Sequence, residues 1–179
     1  MMDDLMSGID TVVKMGIADP NRMCLYGFSN GGGATNLIVT RTSRFKCAVS
    51  LSGVGVDWTG SFLLSPETWQ KLAGTAPWQD PEAFTTLSPI YHLDKVTTPM
   101  LLAGGDKEDT SVIQWLEMYN GLRYLHRDVT LLRYPRQGHG LTSAALKDYW
   151  RRVNAFFDKY LHPDDTLNQL GSSKNAPPN

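Results

Sequence analysis

Ser29 lies in the stretch Gly27-Phe28-Ser29-Asn30-Gly31, a serine with glycine two residues to each side. A serine hydroxyl is a weak nucleophile until a neighbouring base takes its proton, and the base in turn needs an acid to fix its tautomer. Gly-any-Ser-any-Gly alone arises by chance in about one chain in twenty of this length. The bland alternative is a glycine-rich turn that lets a helix approach a sheet. His139, in Gln137-Gly138-His139-Gly140, is a candidate base, although taken alone it reads as a simple loop histidine. His92, His126 and His162 read as surface or capping residues. The segment Gly104-Gly105-Asp106-Lys107-Glu108-Asp109-Thr110-Ser111-Val112 offers three carboxylates as candidate acids. Each also reads as a solvated loop residue, and Asp109 is placed to cap a helix starting near Ser111.

The elements around these residues give the pattern its weight. Met23 to Phe28 is a short apolar run without alternation, which predicts a strand buried on both faces of a parallel sheet. Glycine-rich residues 30–42 predict a helix directly after it. A strand running straight into a helix needs a sharp, strained turn that lifts the serine hydroxyl clear of the sheet. The N-terminal N–H groups of that helix favour negative charge at the same spot. Residues 46–51, 100–103 and 129–134 predict three further strands. Helices are predicted over about 4–15, around Val112 to Leu122, and from Leu146 to Leu161. Residues 54–97, with Pro66, Pro77, Pro81 and Pro89, read as irregular apart from one short helix near 66–72. The serine, a carboxylate and the histidine each follow a separate strand, in the chain order of α/β-hydrolases. Alternating strands and helices predict an α/β fold, three layers around a mainly parallel sheet. Residues 1–162 are read as the catalytic domain and 163–179 as a disordered tail.

Composition narrows the function classes. With 179 residues, 41% hydrophobic and 20% charged, the chain predicts one globular domain. A net charge of −1 gives no footprint for nucleic acid or an anionic membrane. No apolar run approaches the roughly 18 residues of a membrane span, and Met1-Met2-Asp3-Asp4 does not open a signal peptide. The two cysteines, Cys24 and Cys47, sit in strand-like runs and read as buried, reduced thiols. No zinc spacing is present, and neither a metal nor a cofactor is expected.

Gly16-Ile17-Ala18-Asp19-Pro20-Asn21-Arg22, followed by Gly27-Phe28-Ser29-Asn30-Gly31-Gly32, resembles the approach to the nucleophile in the prolyl oligopeptidase family of serine peptidases. Ser88-Pro89-Ile90, Thr98-Pro99-Met100-Leu101-Leu102 and Tyr134-Pro135 before Gly138-His139-Gly140 are similar to it as well. The resemblance implies a serine-type peptidase acting on short peptides through a Ser-His-Asp triad. Ser29 would be the nucleophile and His139 the base. Asp109, three residues before Val112, would be the acid, with Asp106 as its rival. The N–H of Asn30 would be one oxyanion donor, and Trp58 and Phe62 would line the pocket for the residue before the scissile bond. A carboxylesterase is the alternative, and an inactive hydrolase fold used for binding is a second.

The strand pattern is short of the eight strands usual in an α/β-hydrolase. The expectation is therefore a domain lacking its N-terminal strands, with an open apolar edge at residues 23–28. Such a chain is expected to need the missing half of the domain or a partner chain. It is also expected to turn over slowly, since loss of one oxyanion donor costs about a hundred- to a thousand-fold.

Overall fold

A computed structural model describes residues 2–108 and 111–162. Four parallel strands stand side by side in chain order: β1 (Cys24–Phe28), β2 (Cys47–Leu51), β3 (Met100–Gly105) and β4 (Val129–Tyr134). Among the described residues, seven α-helices connect and cover them: α1 (Met2–Lys14), α2 (Asn30–Ile38), α3 (Trp58–Leu64), α4 (Pro66–Ala73), α5 (Pro81–Leu87), α6 (Ser111–Tyr124) and α7 (Ser143–Leu161).

Alternation along the central strands builds two cores. Ala48, Met100 and Leu102 join Ile38, Met118 and Leu122 from α2 and α6, with Met6 and Ile9 of α1 packed alongside. Val49, Leu51, Leu101 and Ala103 face the other way, onto Tyr149, Val153 and Phe156 of α7. Every residue of β2 and β3 is buried, so their near-continuous apolar runs, interrupted by Ser50 in β2, follow from helices on both faces. β1 departs from the expectation of burial on both faces. Tyr26 and Phe28 are exposed there, because β1 pairs on one side only among the described residues.

The cysteines also depart from the sequence reading. Cys24 and Cys47 are register partners on β1 and β2 and are joined as a disulfide. Two single cysteines 23 residues apart carry no sequence signal of pairing; strand register alone brings them together.

Residues 54–97 are more helical than their prolines suggest. Pro66 and Pro81 occupy the first turns of α4 and α5, and Pro89 opens a 3₁₀ helix over Pro89–Lys95. Proline is favoured there because its missing N–H would have no partner in any case. Asp57 caps α3 through the Thr59 and Gly60 N–H groups, and Asp80 caps α5 through that of Ala83. Phe62, Ala76 and Phe84 form a separate small core under this region. The disordered tail expected over 163–179 lies outside the described residues. Among the described residues no helix is long and apolar enough to cross a membrane.

Candidate active site

The turn between β1 and α2 carries Ser29. The Ser29 N–H donates to the Leu51 carbonyl at 2.9 Å, so the β1–β2 ladder runs right up to it. The chain then turns at once, with Ser29 at φ 57° and ψ −119°, and α2 begins at Asn30. Such a conformation costs a non-glycine residue on the order of 1–3 kcal/mol and persists only where surroundings enforce it. Gly27 is the glycine this turn requires: a Cβ there would lie 2.0 Å from the Gly31 carbonyl oxygen. Gly31, the other glycine of the motif, faces open space. The first N–H groups of α2 have no intrahelical carbonyl to meet, and they lie directly beside the serine.

His139 comes from the loop between β4 and α7. Gln137 braces that loop, its side-chain oxygen accepting from both the N–H and the hydroxyl of Thr142 at 2.9 Å. At the loop's root, the Tyr134 hydroxyl donates to Asp148 of α7 at 3.1 Å. Burial pushes the Tyr134 phenol up to about 12, with Asp148 adding to the rise, so it remains a donor. His139 Nε2 lies 2.8 Å from Ser29 Oγ. The Phe28 ring lies 5.0 Å from the imidazole and tilted to it by 40°. The three other histidines lie elsewhere. His92 is within the 3₁₀ helix, His126 follows α6 with φ 55°, and His162 caps α7 and meets Arg22.

Among the described residues, the carboxylate that meets His139 is that of Glu108. Glu108 Oε2 lies 3.1 Å from Nδ1, and the glutamate side chain is only 2% exposed. Its other oxygen accepts from the Gly105 N–H at 3.3 Å and from the Ser52 hydroxyl. The acid loop leans directly on the histidine loop. Lys107 N–H donates to the Gln137 carbonyl at 2.9 Å, and a Cβ on Gly105 would stand 2.3 Å from that same oxygen. Asp106 turns elsewhere, accepting from the Arg136 N–H at 2.7 Å and bracing the turn after β4. Asp109 lies outside the described residues. The sequence offers Glu108 only as one of three loop carboxylates, since its direction is set by contacts with Gly105, Ser52 and His139.

An apolar cavity of about 250 Å³ opens against Asn30, the residue after the serine, and is lined also by residues that include Ala34, Leu37, Val54, Trp58 and Trp69. Trp58 and Trp69 meet edge to face at 5.0 Å. Phe62, expected to line such a pocket, does not. One helical turn beyond Trp58, it is buried against Phe84 and Trp78 as part of the core under α3 to α5. Glu117 on α6 has its carboxyl raised, first by burial and second by Asp57. It stands apart from the Ser29–His139–Glu108 line. No group of three or more potential metal ligands occurs among the described residues.

The model of the prolyl oligopeptidase family matches residues 1–164. The chain belongs to the prolyl oligopeptidase family. Within it, the chain is 30% identical over 172 residues to the uncharacterized peptidase YuxL of Bacillus subtilis, covering 89% of this chain and 25% of that protein. It is 30% identical over 177 residues to an acylamino-acid-releasing enzyme of Arabidopsis thaliana, covering 88% and 22%. Among solved structures, a puromycin-hydrolyzing peptidase of Mycobacterium tuberculosis superposes with a TM-score of 0.82 at 25% identity, over 90% of this chain and 25% of that one. The acylaminoacyl peptidase of Pyrococcus horikoshii shares the fold, with a TM-score of 0.80 at 23% identity over 89% and 27%. The chain thus spans about a quarter of the length of the prolyl oligopeptidase relatives it matches. The architecture is that of the α/β-hydrolase fold: a parallel sheet between helical layers.

Proposed function

We propose that this chain carries the catalytic triad of a serine-type peptidase that cleaves short peptides, with Ser29 as nucleophile, His139 as base and Glu108 as acid. The observation that carries the reading is the continuous line from Ser29 Oγ to His139 Nε2 at 2.8 Å and from His139 Nδ1 to Glu108 Oε2 at 3.1 Å. Glu108 is given the role of acid because, among the described residues, its carboxylate is the one paired with the imidazole; Asp109, the acid that the family resemblance implies, lies outside them.

The chemistry follows from these positions. Ser29 Oγ attacks the carbonyl carbon of the scissile bond while its proton passes to His139 Nε2. Glu108 accepts the Nδ1 proton in a hydrogen bond, holds the ring in one tautomer and stabilises the imidazolium that forms. The Asn30 N–H, at the start of α2, donates to the oxyanion of the tetrahedral intermediate. Collapse of that intermediate gives the proton to the leaving amine and leaves an acyl group on Ser29. Water, deprotonated by His139, then releases the acyl group and restores the serine. The apolar cavity beside Asn30 receives the side chain that precedes the scissile bond, with Trp58 as its wall.

The reading is tested by treating the protein with a fluorophosphonate probe, mapping the adduct, and comparing hydrolysis of an amide and an ester of one acyl group. Labelling confined to Ser29, lost in Ser29→Ala, together with amide hydrolysis, is the expected result. Ester hydrolysis without any amide hydrolysis would make it an esterase. A folded protein that takes no label would make it a binding module.

A further inference from the structure

Ser52 follows β2 directly and has no role in the scheme above, yet it stands where the acid and base loops meet. It is fully buried and holds φ 49°, with its N–H donating to the Ala103 carbonyl at 2.8 Å. Its hydroxyl faces two acceptors from two different loops: Glu108 Oε1, and the carbonyl oxygen of His139 at 2.9 Å. A serine held at positive φ in a fully buried place is strained, and here the strained backbone aims the hydroxyl at both. Without it, the bond left to Glu108 Oε1 among the described residues is the longer one from the Gly105 N–H. A buried carboxylate short of donors is costly and turns toward whatever donor remains.

From this geometry we infer that Ser52 is a positioning residue of the triad, donating to Glu108 Oε1 so that Oε2 stays aimed at Nδ1, and tying the acid to the backbone of the base. One hydroxyl proton serves both acceptors, so a single residue couples the loop after β3 to the loop after β4. The inference rests on the reading of Ser29, His139 and Glu108 as a triad, although the clamp on the His139–Glu108 pair is itself independent of whether Ser29 reacts.

Two substitutions separate the hydroxyl from the backbone. Ser52→Ala removes the hydroxyl and keeps the strain. Ser52→Gly removes both, since glycine adopts positive φ freely. The measurement is the proton resonance of the His139 Nδ1–H in protein labelled with nitrogen-15 histidine, with thermal unfolding to establish that each variant is folded. Among the described residues, Glu108 is the charged side chain paired with His139. Loss of aim at Oε2 weakens the bond that Nδ1–H donates, so its resonance is expected to move upfield and to exchange faster with water in both variants. The rate of fluorophosphonate labelling at Ser29 is expected to fall about tenfold in both. An unmoved resonance in folded Ser52→Ala would overturn the inference. So would recovery of resonance and rate by Ser52→Gly, since the role would then belong to the backbone. If wild-type Ser29 takes no label while the resonance still shifts, the peptidase reading fails and the Ser52 clamp stands.

Discussion

The turn at Ser29 and the junction of the Glu108 and His139 loops meet at one site, yet they are built in opposite ways. The turn is local: β1, one strained serine and α2 occupy consecutive residues, and Gly27 makes room for the Gly31 carbonyl only four residues on. The junction is assembled from afar. Glu108 is 31 residues from His139 and 56 from Ser52, and each is oriented by the others. A local turn depends on backbone shape and breaks by steric clash. An assembled junction depends on hydrogen bonds between loops and fails through loss of aim, with the fold intact.

The largest expected effect comes from breaking the local side. Gly27→Ala places a Cβ 2.0 Å from the Gly31 carbonyl oxygen, with backbone rather than a flexible side chain in the way. A destabilisation of about 3 kcal/mol is expected, seen as a fall in Tm of about 10 °C together with loss of Ser29 labelling. Gly31→Ala, in open space, is expected to move Tm by less than about 2 °C. Equal losses in the two variants would remove the distinction between the glycines.

Next is the strand pair beneath the turn. The Cys24–Cys47 disulfide closes a 23-residue separation, for which chain entropy gives about 3 kcal/mol. Reduction is expected to lower Tm by about 10 °C with Ser29 labelling retained, measured by calorimetry with and without reductant. The His139 Nδ1–H resonance is expected to be unchanged, because the bridge lies in the β1–β2 ladder and not in the acid–base junction.

A smaller effect is expected at Asp106. It shares a loop with Glu108 but accepts from the Arg136 N–H on the exposed side. Asp106→Ala is expected to cost about 1 kcal/mol, or about 3 °C in Tm. Its labelling rate should stay within about threefold of wild type.

The smallest effect sharpens the contrast by lying outside both regions. Glu117 has its carboxyl raised above the ordinary 4.5, with burial as the larger cause and Asp57 as the smaller. A raised folded-state pKa contributes stability below the unfolded value that is lost as pH climbs through the folded one. Glu117→Gln is therefore expected to raise Tm by about 2 °C at pH 7. No difference is expected at pH 4, and labelling should be unaffected at either pH.

The same contrast explains what was legible in the sequence. The strand runs, the final helix and the Gly27-Phe28-Ser29 turn could be read because their signals are short-range: unbroken apolar stretches, helical spacing and glycine at a tight reversal. His139 stood out because glycines flank it just after a strand. The proposed acid, Glu108, did not, since no local property sets it apart from Asp106 and Asp109 in the sequence. Phe62 was misassigned for a similar reason: whether an aromatic on α3 lines a cavity or fills a core depends on Phe84, 22 residues away. Prolines misled over 54–97 because the same residue breaks a helix within its length and begins one at its first turn. The cysteine pair required strand register, which no spacing in the sequence reveals.

The most direct test of this account is the rate of fluorophosphonate labelling at Ser29 in three single variants of the same loop: Glu108→Gln, Asp106→Asn and Asp109→Asn. Changing a triad acid to its amide costs up to about ten-thousand-fold with the geometry kept. A fall of at least about a hundredfold is expected in Glu108→Gln, with Asp106→Asn and Asp109→Asn each within about threefold of wild type. Collapse of labelling in Asp109→Asn, with Glu108→Gln close to wild type, would contradict it.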